Sequence, residues 1–86
     1  MATEHDTQIT AIEYTHAQDT LNAALTQSRA MAFCTYADAG PSFRNLNDEL
    51  QDEYMWALGD RINAAYEANK IIQEYEHQQR QLKEAA

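Results

Sequence analysis

The pattern Glu-Tyr-x-His occurs twice in the chain, as EYTH at residues 13–16 and as EYEH at residues 74–77. In each copy the glutamate and the histidine are three residues apart, the spacing that helical bundles use to hold metal ions. Carboxylates and imidazoles together suit iron, manganese or zinc. One hypothesis is therefore a metal-binding helical bundle with Glu13, His16, Glu74 and His77 as ligands.

Two features argue against this metal site. Di-iron carboxylate bundles obtain further glutamates from two additional helices, and this chain would have to take them from a second subunit. Tyr14 and Tyr75 belong to apolar stripes, so the neighbouring Glu13 and Glu74 are expected to face solvent. We therefore predict that the repeat is a coincidence, that no metal or cofactor is bound, and that both motif histidines are exposed.

Cys34 is the only cysteine of the chain. It cannot form an intramolecular disulfide, which favours a reducing compartment. No histidine is near it in sequence, and the chain has no glycine-rich loop that could bind phosphate or form an oxyanion hole. A small buried thiol is the expected role of Cys34. We expect that the protein is not an enzyme.

The chain of 86 residues has a formal net charge of −8. Direct binding to nucleic acid or to an anionic membrane surface is disfavoured, because both attract basic proteins. A basic protein surface, such as that of a nucleic-acid-handling complex, is the expected partner. Alternatively, the acidity serves only to keep the protein soluble. The N-terminus has no signal-peptide pattern and no apolar run could span a bilayer, so we expect a cytoplasmic location.

Few residues in the chain break secondary structure, since it has two glycines and one proline. The segment DAGPSFRNLND contains Gly40 and Pro41 and predicts the main turn, near residues 38–47. The predicted fold class is all-α: an antiparallel helical hairpin of two long helices, with an optional short third helix over residues 8–14, that dimerises into a bundle. Residues 1–86 form one domain, with 1–8 and 78–86 expected to be frayed.

Apolar residues at three- and four-residue steps predict the buried stripe of each helix. Thr7, Thr10 or Thr15 can cap the first helix, and Asn45 or Asn47 can cap the second, which should extend to about residue 83. The first stripe consists of Tyr14, Ala17, Leu21, Ala24, Leu25, Ser28, Met31 and Ala32. The second stripe consists of Leu50, Tyr54, Leu58, Ile62, Ala65, Ile72 and Tyr75.

Both glycines have an expected structural role. Gly40 should be the residue that follows the first helix and ends it. Gly59 lies inside the second helix, where it should mark a close helix crossing or a slight kink. Asn69 interrupts the second stripe, as buried polar residues do when they fix register.

The segment NDELQDEYMWALGD combines the only tryptophan with a run of carboxylates. Glu49, Glu53, Trp56 and Asp60 follow one another by three- and four-residue steps and so share one side of the helix. In one interpretation, Trp56 packs inside the bundle and Asp48 to Glu53 complement the helix dipole. Alternatively, an exposed Trp56 and its carboxylates bind Arg or Lys side chains of a partner. The predicted partner-binding residues are Asp48, Glu49, Asp52, Glu53, Trp56 and Asp60.

The short length, the helical pattern, the acidity and the segment LNDELQDEYMWALGDRINAAYE resemble small acidic all-helical accessory proteins of bacterial phages and mobile elements, anti-CRISPR proteins among them. The resemblance implies an inhibitor that occupies a basic nucleic-acid-binding site on a host complex. It involves no diagnostic motif and therefore transfers no residue roles. The leading hypothesis is a non-enzymatic acidic protein-binding module of this kind. The alternatives are the metal-binding bundle and a structural dimeric scaffold that assembles through the patch at residues 31–36.

Overall fold

The computed structural model describes residues 8–85. This part of the chain contains three α-helices: α1 (Ala11–Phe33), α2 (Gly40–Arg44) and α3 (Asp48–Ala85), with a 3₁₀ turn at Ala37–Ala39 before α2. No strand occurs in residues 8–85, and the all-α prediction is confirmed. Within the same range, no helix has the length and apolar character needed to cross a membrane.

Helix α1 begins at a capping box. The Glu13 amide donates to Thr10 Oγ1 at 3.1 Å, and the Thr10 amide donates to Glu13 Oε1 at 2.8 Å. These two bonds satisfy backbone donors that have no partner inside the helix. Thr10 is thus the cap of α1. Because α1 begins here, the optional third helix over residues 8–14 is not formed. Thr7, another candidate cap, lies outside the described residues.

The connection between the long helices differs from the prediction at Gly40. Helix α1 already ends at Phe33, and Gly40 is the first residue of α2 rather than the residue that ends α1. Pro41 occupies the first turn of α2, where its missing N–H costs nothing and its fixed φ suits the helix. Gly40 is buried beneath Arg44, whose Nη1 would lie 2.8 Å from an added Cβ.

Helix α3 begins after Asn47, one of the two asparagines predicted to cap it. The Leu50 amide donates to Asn47 Oδ1 at 2.8 Å, and Asp48 and Glu49 lie in the first turn, beside the positive end of the helix dipole. Gln51 Nε2 donates to the Leu46 carbonyl at 2.8 Å. The helix then continues through Gly59 to Ala85. It includes residues 78–85, for which fraying stays a prediction.

Helices α1 and α3 pack along each other. Tyr14 stacks on Tyr75 with ring centroids 4.2 Å apart, and the Tyr54 hydroxyl donates to the Met31 carbonyl at 2.6 Å. The beginning of α1 therefore lies beside the later part of α3, and the end of α1 beside its first turns. The molecule measures 59 × 25 × 17 Å.

The buried core is narrower than the predicted stripes. The buried hydrophobic residues in the described part of the chain are Ala17, Ala24, Leu58, Ala65 and Ala68. Leu25, Leu50 and Ile62 are exposed, contrary to the prediction. The seam of α3 steps from Leu58 through Ala65 and Ala68, so Ile62 falls to one side of it. An alanine buries one methyl group, worth about 0.8 kcal/mol, so this interface is weakly stabilised for its length.

Candidate functional site

The six predicted partner-binding residues all lie on α3 and are all exposed. Trp56 has 76 % of its surface accessible, the largest exposed fraction among the large hydrophobic residues that the structure describes. A single chain therefore does not bury Trp56 in its core, which was one of the two interpretations of the sequence. Trp56, Gly59, Asp60 and Asn63 line a shallow hollow of about 280 Å³ on this side of α3.

Carboxylates flank Trp56 on the helix surface. Asp52 precedes it by four residues, Glu53 precedes it by three, and Asp60 follows it by four, so all three are surface neighbours of the indole. Within residues 8–85, none of these carboxylates forms an ion pair; the pair present is Lys70 with Glu67, at 3.6 Å. The carboxylates around Trp56 therefore remain available to cations of a partner.

The acidic side of α3 is longer than the sequence analysis recognised. Glu53, Asp60, Glu67 and Glu74 recur every seven residues, a spacing that returns to nearly the same side of a helix. We call these four residues the acidic row. It extends over about 30 Å at 1.5 Å per residue. The seven-residue repeat of carboxylates was the signal that could have identified Glu67 and Glu74 as part of it.

A groove between α1 and α3 lies beside the acidic row. Its volume is about 410 Å³, and Glu67 belongs to its lining. Its lining includes three alanines and three isoleucines, of which Ile12 is largely exposed. The residues that line the groove are Ile9, Ile12, Glu13, His16, Ala17, Thr20, Ala64, Glu67, Ala68 and Ile71. The acidic side of the molecule thus also offers apolar contact area.

The two Glu-Tyr-x-His motifs meet through their tyrosines. Tyr14 and Tyr75 stack, whereas Glu13 belongs to the α1 capping box and Glu74 accepts a hydrogen bond from Gln78 at 3.1 Å. His16 and His77 are exposed, as predicted. In residues 8–85, no three His, Cys, Asp or Glu side chains are grouped so that they could hold a metal ion. His5 lies outside the described residues.

Cys34 is exposed, contrary to the expected buried thiol. It follows the last residue of α1 and caps that helix, so it lies in the connection instead of the seam. Burial raises the pKa of Tyr54 above 10.0, and a hydrogen bond with the Cys34 side chain and that group's charge raise it further. Both groups belong to the packing of the connection, together with Phe43, whose ring meets Tyr54 edge-on at 5.3 Å.

No protein-family model matches the chain, and no curated protein or solved structure matches it either.

Proposed function

We propose that the chain is a non-enzymatic protein-binding module that presents the acidic side of α3 to a basic surface of a partner. The observation that supports this most directly is the exposed Trp56 between Glu53 and Asp60. Exposing a tryptophan to water costs free energy unless a partner covers it, and tryptophan is enriched at the centres of protein interfaces. The surrounding carboxylates would orient the partner and select a basic one.

The charge along α3 supports a partner that normally binds nucleic acid. From residue 45 to residue 60 the chain has five carboxylates and no basic residue. A basic groove that tracks a phosphate backbone offers Arg and Lys side chains, which pair with carboxylates and stack on aromatic rings. Occupation of such a groove by the acidic row would exclude nucleic acid. In this proposal the module is an inhibitor, in line with its resemblance to the anti-CRISPR-like accessory proteins.

The proposed functional unit is an antiparallel hairpin of α1 and α3, as the sequence predicted. Helix α1 covers the seam of α3 and leaves the side with Trp56 uncovered. In this arrangement α1 provides the packing that stabilises α3, because a helix in a protein depends mainly on burial of its apolar side. Dimerisation of the hairpin is also a proposal, which the exposed Leu25 and Ile62 support.

The test compares charge reversal on the acidic side with the same change elsewhere. The variant contains Asp52→Lys, Glu53→Lys and Asp60→Lys, and the matched control contains Asp19→Lys, Asp38→Lys and Glu84→Lys. Both change the net charge equally, at exposed positions. Each tagged protein is incubated with bacterial lysate at low and high salt, and bound proteins are identified by mass spectrometry.

We expect the wild type and the control to retain one basic nucleic-acid-handling protein, which high salt releases, and the acidic-side variant to lose it. With that partner purified, Trp56→Ala should weaken Kd by about 30-fold, the value for a hot spot worth about 2 kcal/mol. Equal retention by the acidic-side variant and the control would contradict the proposal. So would a chain that retains no specific protein.

A further inference from the structure

The side of α3 that lies across the seam from the groove has a different character from the acidic row. Met55, Gly59, Ile62 and Tyr66 follow one another by steps of four, three and four residues, so they share one side of the helix. The same steps lead forward to the uncharged Asn69 and Gln73, and backward to Asp52 and Asp48, which border this side at the beginning of α3. We call the four residues Met55, Gly59, Ile62 and Tyr66 the neutral face.

The neutral face is apolar and uncovered. Met55, Ile62 and Tyr66 are 48 %, 52 % and 62 % exposed, respectively. On α1, Leu25 is 53 % exposed. It follows Leu21 by four residues and Asn22 by three. Both of these line a hollow together with Asp19 and Ile72, away from the groove beside the acidic row. Both long helices therefore contribute exposed apolar side chains to this side of the molecule.

Gly59 is unexplained by the contacts of a single chain. Glycine is unfavourable in a helix interior relative to alanine, yet a Cβ at Gly59 would meet no atom within 4 Å. The close crossing that the sequence predicted at this position is therefore not made by α1. A glycine among exposed apolar residues allows the backbone of another helix to approach closely.

We propose that the neutral face binds a second copy of this chain, in a two-fold symmetric contact centred near Gly59. Charge distinguishes this occupant from others. A basic partner would be attracted to the acidic row, whereas two copies with a net charge of −8 each would repel least across the neutral face, whose four residues include no carboxylate. A helix is about 10–12 Å wide, which exceeds the Debye length of about 8 Å at physiological salt, so the two acidic rows would be largely screened from each other.

Pairing through the neutral face would complete the core that one chain lacks. Two copies would contribute α1 and α3 each to a four-helix bundle, in which Leu25, Ile62 and Tyr66 become core residues. The acidic rows would then lie on the outside of the dimer. The two proposals share Gly59, which also lines the hollow beside Trp56. They are separated by Ile62 and the acidic row, which lie on different sides of α3.

The test measures the dimerisation constant by analytical ultracentrifugation for the wild type and three variants. Ile62→Glu places a charge in the proposed contact, and Gly59→Leu fills the crossing while favouring the helix of the monomer. Ile12→Glu is the matched control, because it makes the same change at an exposed isoleucine that lines the groove. Circular dichroism verifies that each variant remains helical.

We expect the wild type to reach twice the monomer mass of 9.8 kDa. Ile62→Glu and Gly59→Leu should each weaken dimerisation by about tenfold or more, and Ile12→Glu should leave it unchanged. A wild type that stays monomeric would overturn the proposal, as would dimerisation of folded Gly59→Leu at wild-type strength. Greater weakening by Ile12→Glu than by Ile62→Glu would also overturn it, since the contact would then involve the groove. A chain that dimerises as expected but retains no basic partner supports this interface and contradicts the proposed function alone.

Discussion

The fold raises the pKa of two tyrosines, Tyr14 and Tyr54. Burial raises the pKa of Tyr14 above 10.0. The Glu76 carboxylate, whose oxygen accepts a hydrogen bond from the Tyr14 hydroxyl oxygen at 3.2 Å, raises it further. Burial likewise raises the pKa of Tyr54. A folded-state pKa above that of the unfolded chain means that folding favours the neutral phenol. Both tyrosines join α1 to α3, so their ionisation acts on the packing of the two helices.

The stability of the protein should therefore fall as the pH rises above 10.0. The contribution of the two phenols is fully present below their unfolded pKa and is lost as the pH increases through their higher folded values. Thermal unfolding measured from about pH 8 to about pH 11 should show this loss. In the Tyr14→Phe, Tyr54→Phe double variant the alkaline decrease should be smaller. A variant with the same alkaline decrease as the wild type would refute the assignment.

At the scale of the helices, the Thr10 capping box fixes where α1 begins. Thr10→Ala removes the acceptor for the Glu13 amide, and it should lower the free energy of unfolding by about 1 kcal/mol. Thr15→Ala is the control, because Thr15 is exposed within the same helix and alanine is the better helix former. Urea unfolding followed by circular dichroism, at one protein concentration, compares the two. Equal stability of both variants would argue against the cap.

Local chemistry explains which features of the helices could be predicted. The caps at Thr10 and Asn47 and the position of the connection depend on side chains that bond to their own neighbouring backbone. Such signals are complete within a few residues of sequence. The carboxylates around Trp56 were predictable as one side of a helix for the same reason. Their place on α3 needed nothing beyond helical spacing.

The errors concern contacts between distant residues. Leu25 and Ile62 have the apolar character of core residues, and only the seam between α1 and α3 reveals that they lie beside it. Gly40 has the residue type that ends helices, but Pro41 after it equally suits the start of α2. For a related reason, the sequence could not decide whether Trp56 is exposed or packed in a core. Sequence spacing gives a direction on one helix and does not show whether a second helix covers it.

At the scale of the whole molecule, charge is divided between two sides of α3. The acidic row from Glu53 to Glu74 lies on one side, and the neutral face from Met55 to Tyr66 lies on the other. The proposed partner is held by attraction to the first side, whereas the proposed second copy binds at the second side in spite of repulsion. Screening by salt must therefore affect the two associations in opposite directions.

Raising the salt concentration from about 0.01 M to about 1 M shortens the Debye length from about 30 Å to about 3 Å. Over this range, capture of a basic partner should weaken, and dimerisation measured by ultracentrifugation should strengthen. The Asp52→Lys, Glu53→Lys, Asp60→Lys variant should dimerise more strongly than the wild type at low salt, because it removes part of the repulsion between copies, and its salt dependence should be flatter. Dimerisation that weakens with salt in the wild type would instead indicate that attraction between opposite charges, and not apolar contact, holds the two copies together.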